Sequence, residues 1–257
     1  MNESKFTGKA ELYSKYRPSY PKEFIDHLQS EVGLDNTGII ADIGSGTGKL
    51  TKLLLEVGKM VYAVEPNNDM REAAEHNLNK YKNFISVNAT AEITTLNDSS
   101  VGFITVAQAF HWFDRKKFKE ESKRILKPGG KVILVWNTRV LTGEPVKDYE
   151  LILRKHCPDF DGFSGGRQSA LYNEIGIDSE DFHDYFTGGY ESKEFSNDQI
   201  EDLECFIGGA MSASYTPRKN DENYSVLIDD LTECFNKYAT GGMLTVPFIT
   251  RIYTGTV

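Results

Sequence analysis

Residues 39–48 read Ile39-Ile40-Ala41-Asp42-Ile43-Gly44-Ser45-Gly46-Thr47-Gly48, an apolar run that ends at an acid and three glycines alternating with small residues. Leucine or valine then recurs at positions 50, 53, 54 and 57, which is the apolar stripe of an amphipathic helix. This order predicts a buried strand that turns through glycines into a helix, and Gly58 is suited to end that helix. Bare backbone at a helix N-terminus lets a ligand approach closely.

The spacing of the glycines excludes two well-known phosphate-binding loops. A dinucleotide fingerprint needs its third glycine at position 49, but this chain has Lys49 there and places the glycine at Gly48. A P-loop ends in Gly-Lys-Ser/Thr, whereas Lys49 is followed by Leu50. The pattern that remains is Asp-x-Gly-x-Gly-x-Gly.

Length and composition indicate an ordinary globular protein. The 257 residues suit one large domain, and a hydrophobic fraction of 39% supports a buried core. We expect neither a membrane span, which needs about 18 apolar residues, nor a secretory signal. Three distant cysteines without a Cys-x-x-Cys spacing favour reduced thiols over a disulfide or zinc framework. The expectation is a cytoplasmic protein with no bound metal.

The net charge of the chain limits the kind of partner that it is expected to bind. A net charge of -9 argues against nucleic acid, because such binding depends on Lys and Arg that neutralise phosphates. A local basic pocket remains compatible with this overall charge. The oligomeric state is not encoded in any pattern that we can identify.

Strand and helix patterns alternate from residue 22 to residue 137, as in a parallel sheet covered on both faces. The predicted strands are 39–43, 60–64, 84–87, 101–107, 131–136, 190–195 and 244–253, and the predicted helices are 21–30, 49–57, 67–80, 114–126, 144–156, 198–210 and 224–238. Residues 157–177 are predicted to form an excursion over the pocket. No linker divides the chain, so we expect one domain over residues 1–257. Its parts would be a core (22–137), an N-terminal lid (1–21) and cap elements (138–182 and 196–240).

Further stretches accompany the glycine loop at the ends of other predicted strands. They are Glu65-Pro66, Asn88-Ala89-Thr90-Ala91-Glu92, the run Ala107-Gln108-Ala109-Phe110-His111-Trp112-Phe113-Asp114, and Leu126-Lys127-Pro128-Gly129-Gly130. With Asp-x-Gly-x-Gly-x-Gly as motif I, this set resembles the class I S-adenosylmethionine-dependent methyltransferases. The resemblance implies an α/β fold with a doubly wound, Rossmann-like sheet of seven mostly parallel strands, the last strand antiparallel, and helical cap or insert elements.

Four other stretches of sequence point to one branch of this family. They are His111-Trp112-Phe113-Asp114, Tyr16-Arg17-Pro18, Tyr20-Pro21 and Trp136-Asn137-x-Arg139. Together they resemble the small-molecule branch that includes trans-aconitate methyltransferases, over about residues 10 to 139 and more weakly in Ser212–Tyr215. The signatures of amino-directed enzymes (Asn/Asp-Pro-Pro-aromatic) and of cytosine-carbon enzymes (Pro-Cys) are absent after the fourth strand.

The cofactor that the resemblance implies is S-adenosyl-L-methionine. Glu65 follows the second strand about 20 residues after the first glycine, where an acid accepts both ribose hydroxyls. Asp42 is predicted to hold the loop amides and to help fix the cofactor's amino group. Met70 packs either on the adenine or in the core. The expected cofactor-binding residues are Tyr16, Arg17, Asp42, Gly44, Ser45, Gly46, Glu65, Pro66, Met70, Thr90, Ala91, Glu92 and Gln108.

Many family members have Asp where Thr90 stands, so the backbone of Ala91 is the more secure adenine contact. On the acceptor side, His111 is the candidate general base, although a histidine held in place by hydrogen bonds at the strand end explains it as well. Arg139 and Arg17 are suited to hold a carboxylate by a bidentate fork. The expected acceptor-binding residues are Tyr13, Tyr20, Trp112, Phe113 and Arg139.

The function predicted from these residues is methyl transfer to a small-molecule acceptor, with an oxygen atom of a carboxylate or hydroxyl slightly preferred. The sulfonium already carries its leaving group, so the protein's main task is to hold the acceptor in line and exclude water. Two alternatives remain open. One is a protein that binds the cofactor without methylating anything, and the other is a nucleotide-dependent oxidoreductase, against which Lys49 argues.

Overall fold

A seven-stranded sheet forms the centre of the computed structural model, which describes residues 10–34, 38–163 and 182–257. The strands are β1 (Ile39–Ile43), β2 (Met60–Val64), β3 (Phe84–Val87), β4 (Val101–Ala107), β5 (Leu126–Arg139), β6 (Thr187–Ser196), β7 (Gln199–Glu201), β8 (Leu244–Val246) and β9 (Phe248–Thr256). The sheet has the order β3-β2-β1-β4-β5-β9-β6, and β7 pairs with β8 separately. Strands β1 to β5 pair in parallel, whereas β9 is antiparallel to both β5 and β6. The predicted fold class is therefore confirmed.

Eight helices are described around this sheet. They are α1 (Ala10–Tyr16), α2 (Lys22–Ser30), α3 (Lys49–Glu56), α4 (Asn68–Leu78), α5 (Arg115–Ile125), α6 (Glu144–His156), α7 (Leu203–Met211) and α8 (Tyr224–Tyr238). Side-chain caps fix several of their starts. Asn67 accepts a hydrogen bond from the Met70 amide at 3.0 Å, and Asp114 accepts one from the Lys117 amide at 3.2 Å.

The central strands are buried on both faces, which explains their nearly continuous apolar sequence. In β5, Val132 and Leu134 belong to one core cluster, while Ile133 and Val135 belong to the cluster on the opposite face. The strand order reverses between β1 and β4, so the carboxyl ends of these two strands flank the crevice where ligands bind in such sheets.

A third hydrophobic cluster lies among the helices of the second half of the chain. Its buried members include Leu153 of α6, Phe206 of α7 and Leu231 of α8. The start of the predicted 157–177 excursion joins this cluster through Cys157 and Phe160. Residues 164–177 of that excursion lie outside the described residues.

Three element boundaries differ from the predictions by more than three residues. The strand expected over 131–136 begins at Leu126 as β5, because Leu126 already pairs with Val101 of β4, and an irregularity in register precedes the next pair, Phe103 with Lys131. The helix expected over 198–210 begins only at Leu203, because the Asp202 side chain caps it by accepting the Cys205 amide at 2.8 Å. The residues before it form the short strand β7 instead. The strand expected over 244–253 is split into β8 and β9 at Pro247, which has no N–H to donate to a sheet.

The three glycines of the loop after β1 all have positive φ, but they serve different purposes. A Cβ on Gly44 would lie 2.6 Å from the Ala109 Cβ, and one on Gly48 would lie 2.6 Å from the Leu78 Cδ1. A Cβ on Gly46 would meet no atom within 4 Å among the described residues. Gly44 and Gly48 therefore permit close packing, whereas Gly46 faces open space.

This difference predicts unequal effects of two alanine substitutions on stability. Gly48→Ala combines left-handed strain with overpacking against Leu78, so the free energy of unfolding should fall by about 3 kcal/mol. Gly46→Ala adds only left-handed strain and should cost about 1 kcal/mol. Guanidinium unfolding of both variants measures the difference. Equal losses would show that contact with α4 does not constrain the loop.

Candidate cofactor and acceptor site

The glycine loop bends back over the end of β2. The amides of Gly44 and Ser45 both donate to the Val64 carbonyl, at 2.8 and 3.2 Å. These bonds satisfy two amides of the sharp turn and bring the loop beside Glu65. Residues far apart in the chain therefore meet at one edge of the sheet.

Glu65 accepts backbone hydrogen bonds with both carboxylate oxygens. Oε2 accepts the Gly46 amide and Oε1 accepts the Asn67 amide, each at 2.9 Å. Burial raises the pKa of Glu65, and the two amides and Arg71 oppose this shift. Each carboxylate oxygen keeps capacity for a further donor, such as one hydroxyl of a diol. The predicted position of Glu65 beside the glycine loop agrees with the structure.

Asp42 lies beneath the loop, and its hydrogen bonds differ from those predicted. Its Oδ2 accepts the Thr51 hydroxyl at 2.6 Å and its Oδ1 accepts the Thr105 hydroxyl at 2.7 Å. The Gly44 and Ser45 amides go to the Val64 carbonyl instead, so the prediction that Asp42 holds those amides is wrong. Burial raises the pKa of Asp42 to about 6, despite the two hydroxyls that stabilise its charge. At neutral pH this fully buried group is therefore a carboxylate.

Two polar atoms of the loop have no partner among the described residues. The Ser45 Oγ and the Thr47 Oγ1 are buried without a hydrogen bond, and the whole Thr47 residue is only 4% exposed. Buried hydroxyls in proteins normally have a partner, and leaving one unpaired costs free energy. These two hydroxyls are therefore available to form hydrogen bonds with a polar ligand.

Gln108 leaves β4 with an unusual backbone conformation. Its φ of 59° is left-handed, a strained region for a residue with a side chain. The Gln108 amide donates to the Val135 carbonyl and its Nε2 donates to the Asn137 carbonyl, each at 2.9 Å. These bonds hold the turn, which brings Ala109 and Phe113 against Gly44.

His111 and Trp112 lie on a single 3₁₀ turn, Phe110–Trp112, directly after this bend. The His111 ring is exposed and lies 4.6 Å from the Trp112 ring, between centroids. Phe113 is half-buried and packs both on Gly44 and on Phe118 of the core. The acceptor-side roles of these residues stay predictions.

The residues expected around the adenine also lie near the edge of the sheet at which the glycine loop is found. Met70 is 4% exposed in the first turn of α4, and Ala91 is buried. Thr90 is half-buried, and Pro66 accepts a hydrogen bond from Arg71 through its carbonyl at 3.4 Å. Glu92 accepts the Asp114 amide at 2.9 Å, so it connects this segment to the start of α5.

Asn137 holds the N-terminal segment at the carboxyl end of β5. Its Nδ2 donates to the carbonyls of Pro18 and Ser19, at 3.3 and 3.0 Å. Its Oδ1 accepts the hydroxyl of the buried Thr250 at 2.6 Å, and Asn197 also donates to the Ser19 carbonyl, at 2.8 Å. The sequence identified Asn137 only as part of Trp136-Asn137-x-Arg139. Its contacts could not be predicted, because they join segments more than a hundred residues apart.

The structure places Tyr16 against the cap helix α7. A Cβ on Gly208 would lie 2.5 Å from the Tyr16 ring, and the Tyr16 hydroxyl donates to Glu204 at 2.8 Å. Tyr20 is half-buried and packs on Phe24, with ring centroids 5.8 Å apart. The Tyr13 side chain lies outside the described residues. The ligand contacts predicted for these tyrosines stay predictions.

Arg139 ends β5 between two aromatic rings. Its guanidinium carbon lies 4.5 Å from the centroid of Tyr149 and 5.0 Å from that of Phe248. Burial raises the pKa of both Tyr149 and Tyr215, and the positive charges of Arg139 and Arg17 oppose this shift. Both arginines therefore lie near Tyr149 and Tyr215, and the carboxylate binding predicted for them stays a prediction. Tyr149 was not identified from the sequence, because it lies on a distant cap segment. Tyr215 was identified only as the last residue of the Ser212–Tyr215 stretch.

Comparisons with known proteins agree with this geometry. Residues 41–134 match a family model described as a methyltransferase domain. A solved structure assigned as a type II methyltransferase of Anaeromyxobacter dehalogenans superposes with a TM-score of 0.67, over 94% of this chain and 98% of that one at 22% identity. The chain has a methyltransferase fold.

Relatives found by sequence match only part of the chain. An uncharacterized methyltransferase of Mycobacterium tuberculosis is 42% identical over 127 residues, which are 49% of each chain. A methyltransferase-like protein of Schizosaccharomyces pombe is 33% identical over 161 residues, or 62% of each chain. The chain thus spans about half the length of the first of these relatives. The resemblance to methyltransferases is confirmed over the core, and the trans-aconitate branch stays a prediction.

In the described ranges 10–34, 38–163 and 182–257, no helix has the length and apolar character needed to cross a membrane.

The buried Asp42 carboxylate predicts a specific pH dependence of stability. Its pKa is raised on folding, so the folded state holds a proton that the unfolded state releases, and stability should fall as pH rises from about 4 to above 6. Asp42→Asn cannot titrate. Its stability relative to wild type should therefore rise by about 3 kcal/mol over this range, at about 1.4 kcal/mol per pKa unit.

Guanidinium unfolding at pH 4, 5, 6 and 7 measures the effect, with the exposed Asp26→Asn as the matched control. Parallel stability curves for wild type and Asp42→Asn would contradict the burial of a charged Asp42.

Proposed function

We propose that this protein transfers the methyl group of S-adenosyl-L-methionine to an oxygen atom of a small molecule. The observation that carries the proposal is the loop at the switch point of the sheet. Gly46 faces open space there, its amide contacts Glu65, and the Ser45 and Thr47 hydroxyls beside it are buried without partners among the described residues. The family match and the structural superposition support the same conclusion.

The residues present fit the cofactor in charge and shape. S-adenosylmethionine carries a sulfonium and an ammonium group, and the two buried carboxylates, Asp42 and Glu65, favour a cationic ligand. Glu65 would accept the ribose hydroxyls, and the buried Ser45 and Thr47 hydroxyls, which have no partner among the described residues, would face the methionine part. The adenine would lie along the remaining predicted residues, which are Pro66, Met70, Thr90, Ala91, Glu92 and Gln108. When bound, the cofactor supplies the methyl group and its own leaving group.

The chain's own task is then to hold the acceptor oxygen about 3 Å from the methyl carbon and to keep water out. Tyr20, Trp112 and Phe113 would form the wall of the acceptor pocket, and Arg139 with Arg17 would orient a negatively charged group. A carboxylate acceptor needs no base. A hydroxyl acceptor would lose its proton to His111, whose exposed ring lies at the mouth of β4.

We also propose how the other parts of the chain serve this site. Residues 1–21 would act as a lid, since Asn137 binds the Pro18 and Ser19 carbonyls beside the crevice. The elements within 138–182 and 196–240 would cover the acceptor. A place in the trans-aconitate methyltransferase branch is proposed on the sequence resemblance alone.

The proposed role of Glu65 predicts a loss of cofactor affinity. Glu65→Gln keeps the shape of the side chain but removes the charge that strengthens hydrogen bonds from the ribose, so the Kd for S-adenosylhomocysteine should rise about 100-fold. Titration calorimetry measures the Kd. Glu75→Gln on α4 is the matched control, because this exposed acid is bonded to Ser86 and not to the loop. Unchanged affinity in Glu65→Gln would remove Glu65 from the ribose site.

The proposed reaction is tested by release of S-adenosylhomocysteine from S-adenosylmethionine with panels of small acids, alcohols, phenols and amines. We expect turnover with oxygen acceptors above the level seen with amines. Turnover confined to amines would overturn O-methylation. Tight cofactor binding without turnover of any panel would favour a binding protein that does not methylate.

A further inference from the structure

A cavity of about 460 Å³ opens between the end of α6 and the start of α8, outside the proposed methyltransferase site. His156 is the last residue of α6, Tyr215 lies in the segment between α7 and α8, and Asn223 directly precedes α8. None of the described residues that line this cavity belongs to the seven-stranded sheet or to the set proposed to contact the cofactor or the acceptor. The cavity is therefore a separate candidate site.

His156 is held at the cavity by an aspartate of α8. It is only 6% exposed, and its Nε2 lies 2.7 Å from the Oδ2 of Asp230. Hydrogen bonds from Lys155 and His156 lower the pKa of Asp230, so at neutral pH this carboxylate is ionised and can only accept. In a neutral His156 ring the proton is therefore on Nε2, and Nδ1 is left as an acceptor. Nδ1 has no hydrogen-bond partner among the described residues, although a buried acceptor normally has one.

The lining of the cavity is acidic. Asp159, Asp221 and Glu222 contribute three carboxylates, and the described lining residues include no Lys or Arg. Asp221 and Glu222 stand just before α8, where acids also favour the positive end of a helix dipole, and Asp221 accepts the Arg218 amide at 2.7 Å. Asp159 has no such role, because it follows the C-terminal end of α6. The dipole of α6 itself favours a cation at that end.

Tyr215 adds an aromatic surface to this acidic lining. It is half-buried, and its ring packs on Phe160 with centroids 4.9 Å apart. An ammonium group is attracted both to carboxylates and to the face of an aromatic ring, and it donates up to three hydrogen bonds. A metal ion fits less well, because no group of three His, Cys, Asp or Glu among the described residues is arranged to hold one.

We propose that this cavity binds a small organic cation whose primary ammonium group donates a hydrogen bond to Nδ1 of His156. The carboxylates of Asp159 and Glu222 would balance its charge, and Tyr215 would contact its carbon chain. A volume of about 460 Å³ is within the range of small-molecule sites. The ligand would connect the end of α6 to the segment before α8, so it would also stabilise the packing of these two helices.

The probe is 1,4-diaminobutane, which carries an ammonium group at each end at neutral pH. The compound 1,4-butanediol has the same length without charge, and succinate presents the anions that the start of α8 would favour. Each compound is titrated by calorimetry into the full chain, at up to about 10 mM and without S-adenosylmethionine. We expect binding of the diamine alone, together with a rise in its presence of the temperature at which the protein unfolds.

The variant His156→Phe keeps a ring but removes the acceptor nitrogen. The Kd for the diamine should rise about 10-fold, as for a lost hydrogen bond to a charged group. In this variant Asp230 keeps its bond from Lys155, which has a length of 2.7 Å. Thermal unfolding of the variant shows whether the fold is retained.

A pair of double variants tests the charge of the lining without touching a buried residue. Asp159→Asn/Glu222→Gln should raise the Kd about fivefold, because exposed carboxylates contribute modestly. The matched control is Asp161→Asn/Asp229→Asn, which changes the net charge equally at exposed residues outside the lining. This control should change the Kd less than about twofold.

Failure of the wild-type protein to bind the diamine overturns the proposal, and so does equal binding of butanediol or succinate. Unchanged affinity in His156→Phe overturns it as well, because the cation would then lie elsewhere. Equal losses in the two double variants would show non-specific attraction to an acidic chain. If His156→Phe unfolds at a lower temperature than wild type, the comparison of the double variants decides. None of these outcomes bears on the proposed methyl transfer, whose own test is the binding of S-adenosylhomocysteine.

Discussion

The tight turn between β1 and α3 is the constraint on which the rest of the site depends. The loop can pass between Ala109 and Leu78 only because Gly44 and Gly48 have no side chain and adopt positive φ. Once the turn is made, its first amides reach the Val64 carbonyl and its central amide reaches Glu65. The backbone of the loop, the ends of three strands and the open face of Gly46 are therefore placed together by one local conformation.

Much of the fold could be predicted because its signals are local. The limits of β1 to β4 follow from buried apolar runs, and those of α6 and α8 follow from the spacing of apolar residues at helical intervals. Two of the errors occurred where a single polar or cyclic side chain overrides the apolar pattern. Asp202 delays the start of α7 by capping it, and Pro247 interrupts the strand that precedes β9.

Some residues of the candidate site could be predicted from the sequence in the same way, and others could not. Gly46 and Glu65 could be located from the sequence, because the carboxyl ends of neighbouring parallel strands meet at one edge. The partners of Asp42 could not, since Thr105 reaches it only through the register of β4 beside β1. Likewise, Asn137 and Tyr149 gain their roles from contacts with distant segments. No local sequence pattern predicts such contacts.

The buried charges of the candidate site lower the stability of the folded protein. Asp42 and Glu65 are buried near each other, and the pKa of each is raised by burial, so neither charge is favoured by folding alone. Burial, together with the charges of Lys52 and Arg17, likewise lowers the pKa of the Lys49 ammonium at the start of α3. A ligand that brings a cation toward the two acids would relieve part of this cost. Binding of such a ligand would therefore recover free energy that folding leaves stored in the site.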